Sequence, residues 1–272
     1  MIILILSGGK SRRMGRDKSS ILRPDGGRQL DHLLELAREI SSEIIVSTND
    51  PTLNLPEGVT ALPDAVPGEG PLAALASLAA RSNDSALVIG GDLFLLDSPT
   101  LHHLVEHHDP TAAATCYANR IDARPEPLCT IYSAPSLAAA SHALASGERC
   151  ARHFLEALAP QILTLPNATA LDNANTPDEL AECFAKLQHG VTLKTLNVLY
   201  FAKLREARGL DEERVASLAC TPAGLYAELR FRHRLPLDID SLRVARNGDF
   251  TTWDQLLVDG DELVFIPPVA GG

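Results

Sequence analysis

LSGGKSRRMGRDK, residues 6–18, follows directly on the apolar run Ile2–Leu6. A hydrophobic strand opens here into a loop that holds Gly8, Gly9 and Gly15 with the cations Lys10, Arg12, Arg13 and Arg16, and that closes on Asp17-Lys18. Such a loop suits a bound polyphosphate, because glycines let backbone N–H groups approach the anion while the cations neutralise it. The spacing lacks the GK[ST] ending of a P-loop and is not GxGxxG, so neither of those motifs applies. Working outward, further apolar runs at 43–46 and 86–89 read as strands, with helices over Leu30–Ile40 and Leu72–Ala80 between them. That alternation predicts a three-layer, Rossmann-like α/β sheet.

The chain has 272 residues, long enough for two domains, and 45% of them are hydrophobic. Its formal net charge of −11 argues against a general nucleic-acid binder, whose phosphate backbone would be repelled. A nucleotide must therefore be held by the local basic loop. Cys116, Cys129, Cys150, Cys183 and Cys220 are odd in number and form no CxxC pair, which predicts reduced thiols. Met1–Leu6 lacks a basic flank and is too short for a signal segment, and no apolar run is long enough to span a bilayer. The expectation is a soluble, cytoplasmic protein without membrane or nucleic-acid partners.

The first domain is expected over 1–189. It ends in a helix with Thr176 as N-cap, Pro177 at the first helical position, Glu179 completing a capping box and Gly190 as stop. Short strands and turn signals follow over 195–272. Leu196–Phe201 reads as a strand, Thr221-Pro222 opens a helix to about Arg232, Asn247-Gly248 marks a tight hairpin, and Leu263–Ile266 is a last strand. That order predicts a small α+β domain of the β-grasp, ubiquitin-like type.

The 6–18 loop resembles the LAGGxSxRMGxDK loop of nucleotidyltransferases, above all that of molybdenum cofactor guanylyltransferases, and the likeness continues over nearly all of 1–188. GEGPLAAL at 68–75 resembles the family's GxGPLxG segment, with Asp64 just ahead of it. VIGGDLFLL at 88–96 puts Asp92 at a strand end, and RPEPLCTIYS at 124–133 and LDNANTPDEL at 171–180 resemble acceptor-side segments. The resemblance implies transfer of GMP from GTP to molybdopterin with Mg2+. Arg13 and Lys18 would face the phosphates, Asp92 would hold the metal, and Leu6, Ser7, Gly8, Gly9, Ser47, Asn49 and Asp64 would hold GTP, with Asn173 and Asn175 on the acceptor side. A carboxylate at Asp64 can accept both N1–H and N2–H of guanine, and Mg2+ needs few protein carboxylates beside phosphate oxygens and water. The chain departs from the family at Gly90-Gly91, commonly Pro-Cys, at Phe94, commonly Pro, and at Glu126, usually Gln or His. Ser47 stands where some members have Asn, and a carboxylate at Glu126 would oppose an anionic pterin phosphate.

The second domain opens LNVLYFAKLREARG at 196–209 and ends GDELVFIPPVAGG at 260–272. Together these resemble the small, sulfur-carrying subunit of molybdopterin synthase. A Gly-Gly end has no side chains and can thread a narrow channel to present its carboxylate. The resemblance implies a Gly272 carboxylate that an adenylating, E1-like enzyme activates and that becomes a thiocarboxylate used by the large subunit of molybdopterin synthase; molybdenum-insertion proteins are the other implied partners. Alternatives are a cytidylyltransferase acting on the same cofactor, disfavoured by Met14 and the GPL segment, and a non-catalytic docking or carrier protein with an altered first domain. His102, His103, His107 and His108 lack a Cys or carboxylate pattern for metal and read as a solvated helix. Trp253 reads as β-grasp core or partner surface.

Overall fold

The computed structural model describes residues 1–7, 20–64, 66 and 68–268. Two compact units divide the chain, Met1–Asn173 and Ala174–Gly272.

The first unit is built on a seven-stranded sheet of order β3-β2-β1-β4-β6-β5-β7. The strands are β1 (Ile2–Leu6), β2 (Ile44–Ser47), β3 (Val59–Leu62), β4 (Ala86–Gly90), β5 (Ala114–Ala118), β6 (Pro125–Tyr132) and β7 (Gln161–Leu163). The first four run parallel, β6 is antiparallel to both β4 and β5, and β7 lies parallel to β5. The central strands β1 and β4 are covered on both faces, which is why their sequences, IILIL and ALVIG, are continuous apolar runs without alternation. On one face Ile3, Ile5, Leu87 and Ile89 pack with α1 (Gln29–Ile40) and α3 (Ser98–Glu106) through Leu33, Leu34, Leu101 and Leu104. On the other, Ile2, Leu4 and Val88 pack with α2 (Pro71–Ala79), α4 (Ala134–Ala145) and α5 (Ala151–Ala157) through Leu72, Leu75, Leu137 and Phe154. This is the expected three-layer arrangement.

The second unit begins with α6 (Pro177–His189), whose Thr176 cap and reciprocal Glu179 bond form the expected capping box, and Gly190 ends it at φ +75°. Behind it lies a five-stranded sheet of order β11-β10-β12-β8-β9, made of β8 (Lys194–Tyr200), β9 (Glu212–Ser217), β10 (Arg243–Arg246), β11 (Asp249–Thr251) and β12 (Glu262–Ile266). β8 and β12 are parallel and the other pairs antiparallel. α7 (Ala202–Arg208) follows β8, and α8 (Pro222–His233) covers the sheet through Leu225, Tyr226 and Leu229 against Leu196, Val198, Leu263 and Phe265. Trp253 packs against this core, its ring parallel to that of Phe265. Asn247 and Gly248 both have positive φ, 52° and 89°, as a two-residue hairpin matching the twist of its strands requires. These are the elements of a β-grasp fold.

The sequence places α6 with the first domain, but its packing joins it to the second unit. Glu182, 7% exposed, accepts hydrogen bonds from Cys220 N at 2.9 Å and Thr221 Oγ1 at 2.7 Å and pairs with Lys186 Nζ at 2.9 Å. Thr221 is the N-cap of α8, so a carboxylate from α6 sits at the positive end of that helix. Gly224 makes the approach possible, because a Cβ there would meet the Glu182 carboxylate at 2.4–2.8 Å. Capping signals mark where a helix begins and ends, not which core it joins. Removing one partner of a buried, hydrogen-bonded ion pair leaves the other charge uncompensated, so Glu182→Ala is expected to destabilise the second unit by about 3–5 kcal/mol. Denaturant unfolding followed at Trp253 checks this; a midpoint unchanged from wild type would refute the role given to Glu182.

Candidate active site

The chain leaves β1 toward β2 across one face of the sheet, while the helix leading into β4 lies on the other face, so the order reverses at β1. In an open α/β sheet the ligand crevice lies outside the carboxyl ends of the strands at such a point. Four strand ends, those of β1, β2, β3 and β4, are knitted together there by three backbone bonds. Ser7 N donates to Ser47 O, Gly91 N donates to Leu6 O, and Thr48 N donates to Leu62 O, each at 3.0 Å.

At the β2–β3 side, Ser47, Asn49 and Asp64 form one hydrogen-bonded cluster. Ser47 Oγ donates to Asp64 Oδ1 at 2.7 Å, Asn49 Nδ2 donates to Asp64 Oδ2 at 3.0 Å, and Asp64 N donates to Asn49 Oδ1 at 3.0 Å. Among the described residues each carboxylate oxygen thus accepts one hydrogen bond, and a second lone pair on each suits an incoming N–H. The orientation is fixed before any ligand arrives.

At the β4 side, Asp92 lies in the turn that follows the strand and is 9% exposed. Two glycines are needed for that turn. A Cβ on Gly90 would come within 2.7 Å of Asp92 Oδ1 and 3.0 Å of Leu128 Cβ, and one on Gly91 within 2.7 Å of Leu6 O. The departures at 90 and 91 therefore let the Asp92 carboxylate fold back over its own strand and let the turn close on β1. Phe94 is fully buried, so its departure from Pro serves the core. A carboxylate beside space that a Cβ would fill, at strand ends that also carry the buried Ser7 Oγ with no hydrogen-bond partner among the described residues, offers the oxygen chemistry that Mg2+ takes. Among the described residues no group of three or more His, Cys, Asp or Glu side chains is arranged for a metal ion.

Glu126 was expected to oppose an anionic acceptor. It is 4% exposed, accepts from Leu128 N at 3.3 Å and meets Arg152 Nη2 at 3.3 Å, while Arg152 Nη1 also binds Asp122 at 2.8 Å. Burial pushes its carboxyl up, Arg152 opposes that shift, and the charge of Asp92 adds to it. The side chain is enclosed and tethered rather than presented as a bare anion. Arg152 gave no signal in the sequence, because no motif links it to a residue on β6.

Asn173 is exposed at the end of the first unit, and Asn175 lies in the second, its backbone N donating to Glu179 Oε2 at 2.6 Å. Gly8, Gly9, Arg13, Lys18 and Gly272 lie outside the described residues. The histidines of α3 and its exit are engaged by protein: His103 Nδ1 lies 2.9 Å from Tyr117 Oη, His108 Nδ1 3.0 Å from Thr115 Oγ1, and His102 Nε2 3.2 Å from Glu39. All five cysteines are free thiols. No helix among the described residues is long and apolar enough to cross a membrane.

The family model described as MobA-like NTP transferase domain matches residues 3–162, and the ThiS family model matches 198–272. A molybdenum cofactor guanylyltransferase of Pseudomonas paraeruginosa is 30% identical over 184 residues, covering 66% of this chain and 92% of that protein. A molybdenum cofactor biosynthesis bifunctional protein of Synechocystis is 28% identical over 185 residues, 66% of this chain but only 52% of that longer protein. The crystal structure of molybdopterin-guanine dinucleotide biosynthesis protein A from Archaeoglobus fulgidus superposes with a TM-score of 0.59 over 69% of this chain and 99% of that one; at 22% identity it attests the fold. With a matching model over more than half its length, the chain belongs to the MobA-like NTP transferase family and carries a ThiS-type domain behind it.

Proposed function

We propose that the first unit transfers GMP from GTP to molybdopterin and that the second carries sulfur for molybdopterin synthesis. The observation that carries the first half is the pair of preorganised carboxylates at the strand ends: Asp64, held by Ser47 and Asn49, and Asp92, folded in by Gly90 and Gly91. In the reaction an oxygen of the molybdopterin phosphate bonds to the α-phosphorus of GTP while the bond to the bridging oxygen breaks and pyrophosphate leaves with the electron pair. Such transfers need positioning and charge neutralisation more than covalent help. Asp64 would accept from the guanine edge, backbone groups of Leu6–Gly9 would line the nucleotide, and Arg13 and Lys18 would neutralise the phosphates. Asp92 would hold Mg2+, which when bound offsets the charge developing on the phosphate oxygens. Asn173 and Asn175 serve the acceptor side.

For the second unit, the Gly272 carboxylate would attack the α-phosphorus of ATP on an E1-like enzyme with release of pyrophosphate, and a sulfide-level sulfur donor would then attack the acyl carbon and expel AMP to leave a thiocarboxylate. The large subunit of molybdopterin synthase would consume it, and molybdenum-insertion proteins would meet the product of the first unit. The testing experiment is pyrophosphate release from GTP and from CTP with Mg2+, in the presence and absence of molybdopterin. Release that requires both GTP and molybdopterin is expected; release from CTP alone, or from neither, would overturn the assignment. Lys18→Ala should lower the GTP rate by about 2–4 kcal/mol of transition-state stabilisation, as for one phosphate-facing cation in a desolvated site. A wild-type rate in that variant would remove the loop from the mechanism.

A further inference from the structure

We propose that Arg23 and Gln29 form a positioning latch that fixes the Asp92 turn against the segment leading out of the Gly-rich loop. Arg23 Nη1 donates to Gln29 Oε1 at 2.8 Å and to Phe94 O at 2.8 Å, and Gln29 Nε2 donates to Leu93 O at 3.1 Å. Two consecutive carbonyls directly after Asp92 are thus held by side chains from residues 23 and 29. Those two residues are themselves locked. Residues 21–29 form a tight hairpin in which Arg23 N donates to Gly27 O at 2.8 Å and Gln29 N to Ile21 O at 2.9 Å, with Leu22 bridged to Arg28. Gly26 turns it at φ +87°.

The choice of residues is hard to explain as packing alone. Arg23 is 7% and Gln29 0% exposed, and among the described residues the partners of the guanidinium are an amide oxygen, a backbone carbonyl, and the largely exposed Asp25 at 3.4 Å. Burying a cation among mostly neutral acceptors is costly, and a leucine or methionine would fill the volume without that cost. What an apolar side chain would not do is hold the carbonyls. In sequence Arg23 stands shortly after Lys18 and Phe94 shortly after Asp92, so the latch ties the exit of the phosphate loop to the turn that bears the carboxylate. Side chains that orient a metal-holding group without touching the ion commonly govern its affinity by about ten- to a hundredfold.

The role given to the latch rests on the proposed Mg2+-dependent nucleotidyl transfer, but its mechanical part does not. Arg23→Met keeps much of the shape and removes both donors. Backbone amide exchange at residues 91–96 should quicken by about tenfold or more while β1 and β2 stay protected, since local opening tracks the loss of fixing contacts. The Mg2+ concentration for half-maximal GTP binding, followed by calorimetry, and for half-maximal turnover should rise by about tenfold, with KM for GTP at saturating Mg2+ nearly unchanged. Arg23→Lys should recover part of both effects. Gln29→Met, which spares the Arg23 bond to Phe94, should give a smaller change and remains informative if Arg23→Met does not fold. Unchanged exchange at 91–96 in folded variants would overturn the latch. So would a lower melting temperature with an unchanged Mg2+ requirement, since that is what a purely structural residue gives. Absence of turnover and GTP binding in the wild type would overturn the nucleotidyl-transfer assignment instead, with amide exchange alone deciding whether the latch holds the turn.

Discussion

Asp92→Asn is expected to lower GMP transfer by about a thousandfold and to abolish its response to Mg2+, while the protein keeps its fold and melting temperature. The amide has nearly the shape of the carboxylate, so the turn that Gly90 and Gly91 allow is not crowded by the change: the side-chain atom beside Gly90 is replaced by one of similar size. What disappears is the negative charge. A neutral amide oxygen binds Mg2+ far more weakly than a carboxylate, and losing several kcal/mol of charge stabilisation corresponds to about three decades in rate. Rates measured across a Mg2+ titration check this, with circular dichroism and thermal melting as controls. Activity near wild type at low Mg2+ would show that Asp92 does not hold the ion. A loss of activity accompanied by a large fall in melting temperature would show that it acts through the fold.

The parts of this chain that could be read in one dimension are those where local chemistry and packing demand the same residues. β1 and β4 are covered on both faces, so burial and sequence agree in a continuous apolar run. α6 and α8 announce themselves through Thr176-Pro177 and Thr221-Pro222, where cap and first helical position coincide. β3, largely exposed, and β7, three residues long, carry no such pattern, and α4 is too rich in alanine for its buried positions Leu137 and Ala140 to stand out. The same holds at the site. Ser47, Asn49 and Asp64 were each legible through family resemblance, but their mutual bonding arises only when β2 and β3 pair with Ser47 opposite Leu62. Arg152 and Glu126 stand 26 residues apart, and Arg23 and Phe94 stand 71 apart. Their contacts are products of tertiary folding, and no spacing rule reaches them.

Deleting Gly271 and Gly272 is expected to abolish sulfur loading while leaving GTP binding by the first unit intact. Adenylation needs a free carboxylate oxygen as nucleophile, and a thiocarboxylate formed from it would have to reach the active site of a separate enzyme. β12 pairs with β10 as far as Ile266, opposite Arg243, after which Pro267 is buried and Pro268 exposed. Neither proline can donate a further ladder bond, so the strand stops here for a chemical reason. Glycine matters at that end because a side chain would fill a passage sized for bare backbone. One bulky residue added after Gly272 should therefore be as damaging as the deletion, although it leaves every native residue in place. Intact mass spectrometry after incubation with an adenylating partner, ATP and a sulfur donor reads the result as a gain of about 16 Da, the difference between sulfur and oxygen. Appearance of that gain in the truncated or extended chain would refute the carrier role of Gly272, and its absence from the wild type under the same conditions would refute the carrier function as a whole.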